Sequence, residues 1–308
     1  MLLELFEIFA NNIAPILIVA SIGFIVGRLA NVEPRPISQL IFNVFSPALV
    51  FWALYTSEVS GQELASIGLA TIIFQFIMAG FAFALARALS IERSARASMM
   101  IGAFCLNAGN YGLSLVSFAF GPDVLARAIV VYITNTVVNY SLGVFVASSG
   151  KRDPLDSLKI MLRVPAIYAA IIALVLRSNN LELPLMIDRS ASLLKDATIP
   201  LMLTLLGLQL SRTTGFQRLR LVAASVSMKL LIAPFVGLAL ALLLNFDDLA
   251  LIGFVLQISM PTAVMTLILA KEYELDEALS LNIIMASTLL SPITLSVIIL
   301  LLRQTTTF

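Results

Sequence analysis

The sequence predicts an all-α membrane protein with ten transmembrane helices in two inverted five-helix repeats. Three observations predict this fold class: a very apolar composition, ten apolar stretches of membrane-spanning length, and landmark residues that recur at one offset. Hydrophobic residues make up 60% of the 308 positions and charged residues 12%, whereas soluble chains average about a quarter charged residues. Such a chain has little polar surface to offer water, so its outer surface is expected to face lipid.

The composition also excludes several classes of function. A net charge of +1 gives no bulk attraction to nucleic acid, and the single Cys105 cannot form an intrachain disulfide. The absence of histidine removes the usual proton shuttle at neutral pH and most zinc chemistry, so neither a metal site nor a cofactor is predicted. Residues Met1–Glu7 lack a basic region and a cleavage site, which is typical of the lead-in to a first span rather than a signal peptide.

Ten stretches, called spans 1 to 10, are apolar enough to cross a bilayer, which takes about 20 apolar residues. Charged or Gly/Pro-marked connections separate them, and span 6 is short with Pro165 near its start. In chain order the predicted spans are Ile8–Ala30, Ile37–Leu54, Leu64–Leu89, Ala97–Phe120, Val124–Val146, Ile160–Leu176, Met186–Leu210, Leu219–Leu244, Leu249–Ala270 and Leu279–Leu302.

Basic residues are divided unequally between the two sets of connections. With the N-terminus outside, 13 of the 19 Lys and Arg residues lie on the inner side and 4 on the outer side. Cytoplasmic connections carry the excess of Lys and Arg. Both termini are therefore predicted on the outer, periplasmic side of the cell (inner) membrane.

Self-similarity divides the chain into a first repeat, 1–150, and a second repeat, 151–308. Each repeat holds five spans, an odd number, so the second is predicted to be inverted in the membrane. Inverted repeats are typical of secondary transporters, whose substrate site lies near the bilayer midplane where the repeats meet. The landmarks at an offset of 153 residues are Pro47 and Pro200, Asn107 and Met260, and Thr134-Asn-Thr136 and Ser287-Thr-Leu289.

Spans 4 and 9 carry helix-breaking residues at corresponding places. Span 4 contains Asn107-Ala-Gly-Asn-Tyr-Gly112, and span 9 contains Gln257-Ile-Ser-Met-Pro-Thr262. Glycine costs a helix interior about 1 kcal/mol relative to alanine, asparagine competes for backbone hydrogen bonds, and proline has no N–H group. Unwound backbone at membrane depth is tolerated only where it lines a cavity or is buried in protein. Both spans are therefore predicted to break near their centres.

If the two broken spans cross, the second half of each span begins near Asn110 or Pro261. The N-terminal ends of these two half-helices then point at the same central space. Helix starts offer free N–H groups and partial positive charge, and proline suits a first turn, so a carboxylate is the predicted guest. The alternative is that these residues only kink continuous helices, as they do in many membrane proteins. The predicted substrate-binding residues are Asn107, Asn110, Tyr111, Gln257, Ser259, Pro261 and Asn282, with Gly109, Gly112 and Met260 shaping the backbone of the crossover.

The motifs in spans 4 and 7 resemble those of the auxin efflux carrier family. This family includes the plant PIN auxin exporters and bacterial permeases for malate or malonate of similar length. The resemblance covers essentially the whole chain, without a long connection between spans 5 and 6. The motifs that carry it are Asn107-Ala-Gly-Asn-Tyr-Gly-Leu, Phe118-Ala-Phe-Gly121, Ala197-Thr-Ile-Pro-Leu and Leu206-Gly-Leu-Gln-Leu210.

The resemblance implies the architecture of bacterial sodium/proton antiporters and bile-acid symporters, with spans 4 and 9 broken and crossed. It implies a scaffold of spans 1, 2, 6 and 7, and a transport domain of spans 3–5 and 8–10 that moves by elevator-like alternating access. It also implies homodimerisation through the scaffold and organic anions as substrates. The crossover Asn of the family corresponds to Asn107 or Asn110 and its crossover Pro to Pro261, but Met260 precedes that proline rather than an Asn.

Three charged residues lie deep inside predicted spans, away from their ends: Lys195 and Asp196 in span 7, and Lys229 in span 8. Charges at bilayer depth cost about 3 kcal/mol or more and are functional candidates. Adjacent helix residues do not face each other, so Lys229 is expected to pair with Asp196, leaving Lys195 to favour an anion. These residues, with Asn135 in span 5, are candidates for coupling or charge balance. Alternatively, the lysines snorkel or stabilise the scaffold.

The sequence therefore predicts a secondary transporter, and not an enzyme, for a small organic anion such as a carboxylate or dicarboxylate. Spans 4, 9 and 10 contain no Asp or Glu, which argues against sodium/proton exchange, because that chemistry needs membrane-embedded carboxylates. The alternative is a cation-coupled antiporter or a sodium-coupled organic-acid symporter on the same fold. An intramembrane enzyme is disfavoured because Ser114 and Ser117 have no base to activate them.

Overall fold

The computed structural model describes residues 2–148, 164–212 and 217–306. Within these ranges the chain is helical apart from short connections, it contains no β-strand, and one isolated antiparallel bridge joins Leu106 and Thr262. Parts of the sequence prediction lie outside the described residues: the connection from Gly150 to Asp156, the start of span 6 at Ile160, and the basic residues Lys151, Arg152, Lys159 and Arg163.

Eleven helices make up the described ranges. They are α1 Leu3–Leu29, α2 Pro34–Tyr55, α3 Gly61–Ala88, α4 Arg93–Phe104, α5 Ala108–Ala147, α6 Pro165–Ser178, α7 Leu185–Leu210, α8 Leu219–Leu243, α9 Asp248–Ile258, α10 Met265–Glu272 and α11 Glu277–Thr305. Pro34 and Pro165 open α2 and α6, where the missing N–H group has no helical partner to lose. Asp247 and Asp276 cap α9 and α11, because their side chains accept a backbone N–H three residues on.

Seven of these helices are long and apolar enough to cross a membrane, and α6 and α9 are apolar but shorter. The helix α5 has 40 residues, which as a straight rod would measure about 60 Å, twice the roughly 30 Å hydrocarbon core. Gly121, with φ 77°, interrupts α5 before Pro122, where the sequence predicted the connection between spans 4 and 5. The helical content and these lengths agree with the predicted class of all-α membrane protein.

Two predicted spans are not continuous helices in the structure. Span 4 is divided between α4 and the first part of α5, and span 9 is divided between α9 and α10. The other helices begin and end within five residues of the predicted bounds. The apolar pattern therefore predicted where the described helices lie. The Gly, Asn and Pro residues predicted where spans 4 and 9 are interrupted.

The helices pack in two groups. Helices α1, α2, α6 and α7 pack chiefly against one another, and α3, α4, α5 and α8 to α11 pack chiefly against one another. Within the first group, α1 and α7 approach closely because each carries a glycine that lies against the backbone of the other helix. A Cβ atom on Gly207 would lie 1.8 Å from the Ala20 carbonyl oxygen, and one on Gly23 would lie 2.2 Å from the Thr204 carbonyl oxygen. Small residues allow this contact between helix backbones.

Polar side chains join the connections at one end of the bundle. Arg212 Nη1 donates to Asn31 Oδ1 at 2.7 Å, which joins the end of α7 to the connection after α1. Arg218 Nη1 pairs with Asp276 Oδ2 at 2.8 Å and with Glu92, which joins the starts of α8, α11 and α4. The hydrogen bond from Arg218 lowers the pKa of the Glu92 carboxyl below its ordinary 4.5.

A second set of arginine contacts lies at the connections that follow α2, α6 and Gly121. Arg127 Nε donates to Glu63 Oε1 at 2.7 Å, and Arg177 Nη1 donates to Ser57 Oγ at 2.9 Å. The arginine contacts therefore form two sets. Successive connections along the chain belong alternately to one set and to the other.

Candidate functional site

The breaks in spans 4 and 9 lie side by side. Residues 105–107 separate α4 from α5, and residues 259–264 separate α9 from α10. The Asn107 N–H donates to the Pro261 carbonyl at 2.8 Å, and the Ala263 N–H donates to the Cys105 carbonyl at 3.1 Å. This short antiparallel pairing brings the two breaks together and satisfies backbone groups that neither helix can satisfy.

The second helix of one pair begins away from the residue that the sequence predicted. The helix after the first break begins at Ala108, two residues before Asn110, with a π-helical turn over Ala108–Leu113. The helix after the second break begins at Met265, so the prediction that Pro261 occupies its first turn is wrong. Pro261 instead lies in the connection between α9 and α10, where its carbonyl accepts the Asn107 N–H.

Asn135 and Gln75 hold the first break together. Asn135 Oδ1 accepts the Leu106 N–H at 3.2 Å, and Asn135 Nδ2 donates to the Leu106 carbonyl at 3.1 Å. Gln75 Nε2 donates to Asn135 Oδ1 at 3.0 Å. The sequence predicted a functional role for Asn135 but missed Gln75, although a glutamine in the middle of the apolar span 3 is a signal that could have found it.

The last three carbonyls of α4 each accept a hydrogen bond from a different side chain. Thr262 Oγ1 donates to the Gly102 carbonyl at 2.8 Å, and Gln75 Nε2 donates to the Phe104 carbonyl at 3.3 Å. The third donor is Lys229 Nζ, 3.2 Å from the Ala103 carbonyl oxygen. Carbonyls in the last turn of a helix have no partner within the helix, and these side chains supply one.

Several predicted substrate-binding residues surround the breaks. Asn107 Nδ2, the Tyr111 hydroxyl and Gln257 Oε1 are buried and form no hydrogen bond within the described residues. Gln257 Nε2 donates to the Ala108 carbonyl at 3.3 Å, and its side chain lies against Gly112, where a Cβ atom would be 2.2 Å from Gln257 Oε1. These three polar atoms therefore lie beside the two helix breaks without a hydrogen-bond partner among the described residues.

Other predicted residues have different surroundings. Asn110 is half-buried, and its carbonyl accepts the Ser114 hydroxyl at 3.3 Å. The Ser259 hydroxyl is used within its own helix, where it donates to the Val255 carbonyl at 2.6 Å. Met260 is fully buried. A Cβ atom on Gly109 would lie 3.0 Å from the Tyr132 ring.

Asn282 is not at the breaks. Its Nδ2 atom donates to the Gln217 carbonyl at 3.1 Å, beside the start of α8. Ser287, which does reach the second break by accepting the Thr262 N–H at 3.2 Å, lies five residues farther along α11, about 7.5 Å. The structure therefore does not bring Asn282 together with the other predicted substrate-binding residues.

The charged residues in the spans do not pair as the sequence predicted. Lys195 Nζ lies 3.0 Å from Asp196 Oδ1, so the expectation that these neighbours need other partners is wrong, because their long side chains can bend towards each other. The expected pairing of Lys229 with Asp196 is also wrong, since α8 packs in the second helix group and α7 in the first.

Lys195 and Asp196 line a cavity of about 470 Å³ between the two helix groups. Lys195 Nζ lies 5.2 Å from the centre of the Trp52 ring, within range of a cation–π interaction. Ser117 and Asp123, from the two parts of α5 on either side of Gly121, also line this cavity. The cavity is therefore bounded by helices of both groups.

Four helix ends lie at the two breaks and carry partial charges of both signs. The starts of α5 and α10 and the ends of α4 and α9 meet there, and helix starts and ends carry partial charges of about +0.5 and −0.5 that offset one another. The amine of Lys229 lies against the end of α4, 3.2 Å from the Ala103 carbonyl oxygen. The buried donors Asn107 Nδ2 and the Tyr111 hydroxyl add neutral hydrogen-bond donors.

Comparison with known proteins assigns the chain to a family. Residues 8–299 match the family described as Membrane transport protein. An uncharacterized transporter of Methanothermobacter thermautotrophicus is 26% identical over 294 residues, covering 92% of this chain and 95% of that protein. An uncharacterized transporter of Methanocaldococcus jannaschii is 26% identical over 287 residues, covering 90% of this chain and 93% of that protein. The chain therefore belongs to the Membrane transport protein family, the auxin efflux carrier family that its motifs resemble, and is a multi-pass membrane transporter rather than an enzyme.

Proposed function

We propose that this transporter is a secondary carrier that moves a small organic anion, a carboxylate or dicarboxylate, across the cell membrane by elevator-type alternating access. The observation that carries the proposal is the antiparallel pairing of two helix breaks, in which Asn107 binds Pro261 and Ala263 binds Cys105. Breaks of this kind at membrane depth are tolerated where they line a site for a solute.

The positions of the helices support an inverted repeat of ten spans. Shifted by 153 residues, α2 falls on 187–208, close to α7, and α3 falls on 214–241, close to α8. The same shift places α4 on 246–257, against the observed α9 at Asp248–Ile258. Five spans in each repeat require the second repeat to be inverted in the membrane.

A carboxylate is the ligand that the paired helix breaks suit best. The two helix starts, the Lys229 ammonium group and the unpartnered donor Asn107 Nδ2 all favour negative charge. The Tyr111 hydroxyl is a second unpartnered donor. Buried donors without a partner cost about 1–3 kcal/mol each, and a bound carboxylate would remove that cost.

The two helix groups support an elevator mechanism. In this proposal α1, α2, α6 and α7 are the scaffold, and α3 to α5 with α8 to α11 are the transport domain that carries the crossing. The cavity beside Lys195 and Trp52 lies between the two groups, as an entry path to a moving site would. Homodimerisation through the scaffold, and both termini on the periplasmic side of the inner membrane, belong to the same proposal.

Binding to purified protein tests the site. Mono- and dicarboxylates are screened for stabilisation of the protein against heat, since a ligand that binds only the folded state raises the melting temperature. We expect at least one carboxylate to stabilise the wild type, and Asn107→Ala and Asn110→Ala to lose that stabilisation while the unliganded melting temperature stays within a few degrees.

The matched control is Asn43→Ala, because the Asn43 amide bonds only the Gln39 carbonyl on an exposed surface. This variant should keep the full response to the ligand. If Asn107→Ala and Asn110→Ala respond to the ligand as the wild type does, the crossing is not the binding site. Uptake by proteoliposomes with and without sodium or a proton gradient then separates anion carriage from a cation-coupled exchange.

A further inference from the structure

We propose that Lys229 is a built-in cation for this carrier and takes the place of a free sodium ion at the end of α4. The proposal rests on the proposed function, which it deepens by naming how the carrier meets its need for a coupling ion. Its consequence is that the substrate anion binds and moves without sodium.

The ammonium group is enclosed by protein. Lys229 has a relative exposure of 0% and lies in a π-helical turn of α8, Met228–Ile232. Such turns often mark functional positions in helices, because the extra residue changes which side chains face a neighbouring helix. The Lys229 side chain reaches the Ala103 carbonyl in α4, 126 positions away in the chain.

The end of α4 is a place where a cation is stabilised. The last turn of a helix carries partial negative charge, and in carriers with broken helices the ends of half-helices coordinate coupling cations. Neutral donors occupy two of the last three carbonyls, Thr262 at Gly102 and Gln75 at Phe104. The remaining carbonyl, Ala103, faces the positive charge.

Among the described residues, the recorded ion pairs of carboxylates do not include Lys229. The ion pairs recorded among the described residues join Glu63 to Arg127, Asp196 to Lys195, and Glu92 and Asp276 to Arg218. Lys229 therefore relies on backbone carbonyls and on the field of the helix end. Removing a charge from water without a charged partner is costly in a bilayer, whereas leucine or methionine would fill the same space at no such cost.

The lysine travels with the substrate site in this mechanism. Lys229 lies on α8 and its partner Ala103 on α4, and both helices belong to the proposed transport domain. A monoanion bound at the crossing would then cross the bilayer together with one fixed positive charge. This compensation lowers the electrostatic cost of moving the loaded domain, which is the role that a co-transported cation would otherwise fill.

The first experiment measures sodium dependence in reconstituted vesicles. Uptake of a labelled dicarboxylate by the wild type should be equal in sodium and in choline buffers. Lys229→Met keeps the volume of the side chain and removes its charge, so uptake should fall at least about tenfold, equivalent to 1.4 kcal/mol. The matched control is Lys195→Met, which removes a lysine that already has Asp196 as a partner and should lose less.

The second experiment needs no substrate, which separates failure of this inference from failure of the proposed function. Lys229→Ala opens a space beside the Ala103 carbonyl, so sodium chloride should raise its melting temperature more than choline chloride does. The wild type should show no difference between the two salts. Sodium-dependent uptake or stabilisation of the wild type, or an Lys229→Met variant that transports within twofold of the wild type, would overturn the proposal.

Discussion

Different kinds of side chain stabilise the two helix breaks, which follow α4 and α9. The break after α4 spans three residues and is held by the amides of Gln75 and Asn135, whereas the break after α9 spans six residues and is held by hydroxyl groups. One amide side chain carries both an acceptor and donors, so Asn135 can bind the N–H and the C=O of Leu106 together. A hydroxyl group donates only one hydrogen bond.

The two breaks also differ in where their partners lie. The side chain that binds Leu106 comes from Asn135 in α5, the helix that follows the first break. The Thr262 hydroxyl of the second break donates instead to Gly102 in α4. Because this hydroxyl supplies a partner to the last turn of α4, and the backbones of the two breaks bond each other, each break depends on the other for part of its support.

Replacing Asn135 is expected to have the largest effect. Asn135→Leu keeps a similar volume but leaves the N–H and C=O of Leu106 without their partner. Each buried unsatisfied group costs about 1–3 kcal/mol, so the free energy of unfolding should fall by about 2–6 kcal/mol. The melting temperature of the purified protein in detergent measures the loss.

The control for this prediction is Asn43→Leu, because the Asn43 amide is exposed and bonds the carbonyl of Gln39 in its own helix. Its melting temperature should change little. An Asn135→Leu protein as stable as this control would show that the first break does not need its amide.

The positions of glycine, asparagine and proline in the sequence predicted where spans 4 and 9 are interrupted. The sequence placed them at 107–112 and 257–262, and the structure places them at 105–107 and 259–264. Glycine, asparagine and proline weaken a helix wherever it lies, so this property is visible without any knowledge of packing. The boundaries shift by two to five residues, and the backbone pairing between the breaks, which no local preference encodes, lies at the observed positions.

The partners of the polar side chains could not be predicted in the same way. Gln75 bonds Phe104 and Asn135, which lie 29 and 60 positions away, and the choice between such partners depends on how the helices pack. The same limit explains the wrong pairing of Lys229 with Asp196. Opposite charges in neighbouring spans suggested that pair, but their helices belong to different groups in the structure.

Ser287→Ala is expected to have a smaller effect than Asn135→Leu. It leaves a single buried N–H, that of Thr262, without its acceptor, so the free energy of unfolding should fall by about 1–3 kcal/mol. The matched control on the same helix is Ser296→Ala, because Ser296 is also buried but bonds only the Pro292 carbonyl of α11. Equal melting temperatures for the two variants would contradict a role for Ser287 in the second break.

The smallest effect is expected at the opposite end of α4, where an exposed ion pair replaces the buried caps. Arg218 lowers the pKa of Glu92 below 4.5, so the ionised carboxylate stabilises the fold above that pH, and this stabilisation is lost as the pH falls through the lowered pKa. Exposed pairs contribute little. Between about pH 7 and pH 3.5 the melting temperature of the wild type should therefore fall only about 1–2 °C more than that of Glu92→Gln. Glu33→Gln is the control. A larger fall for Glu92→Gln than for the wild type would contradict the predicted sign.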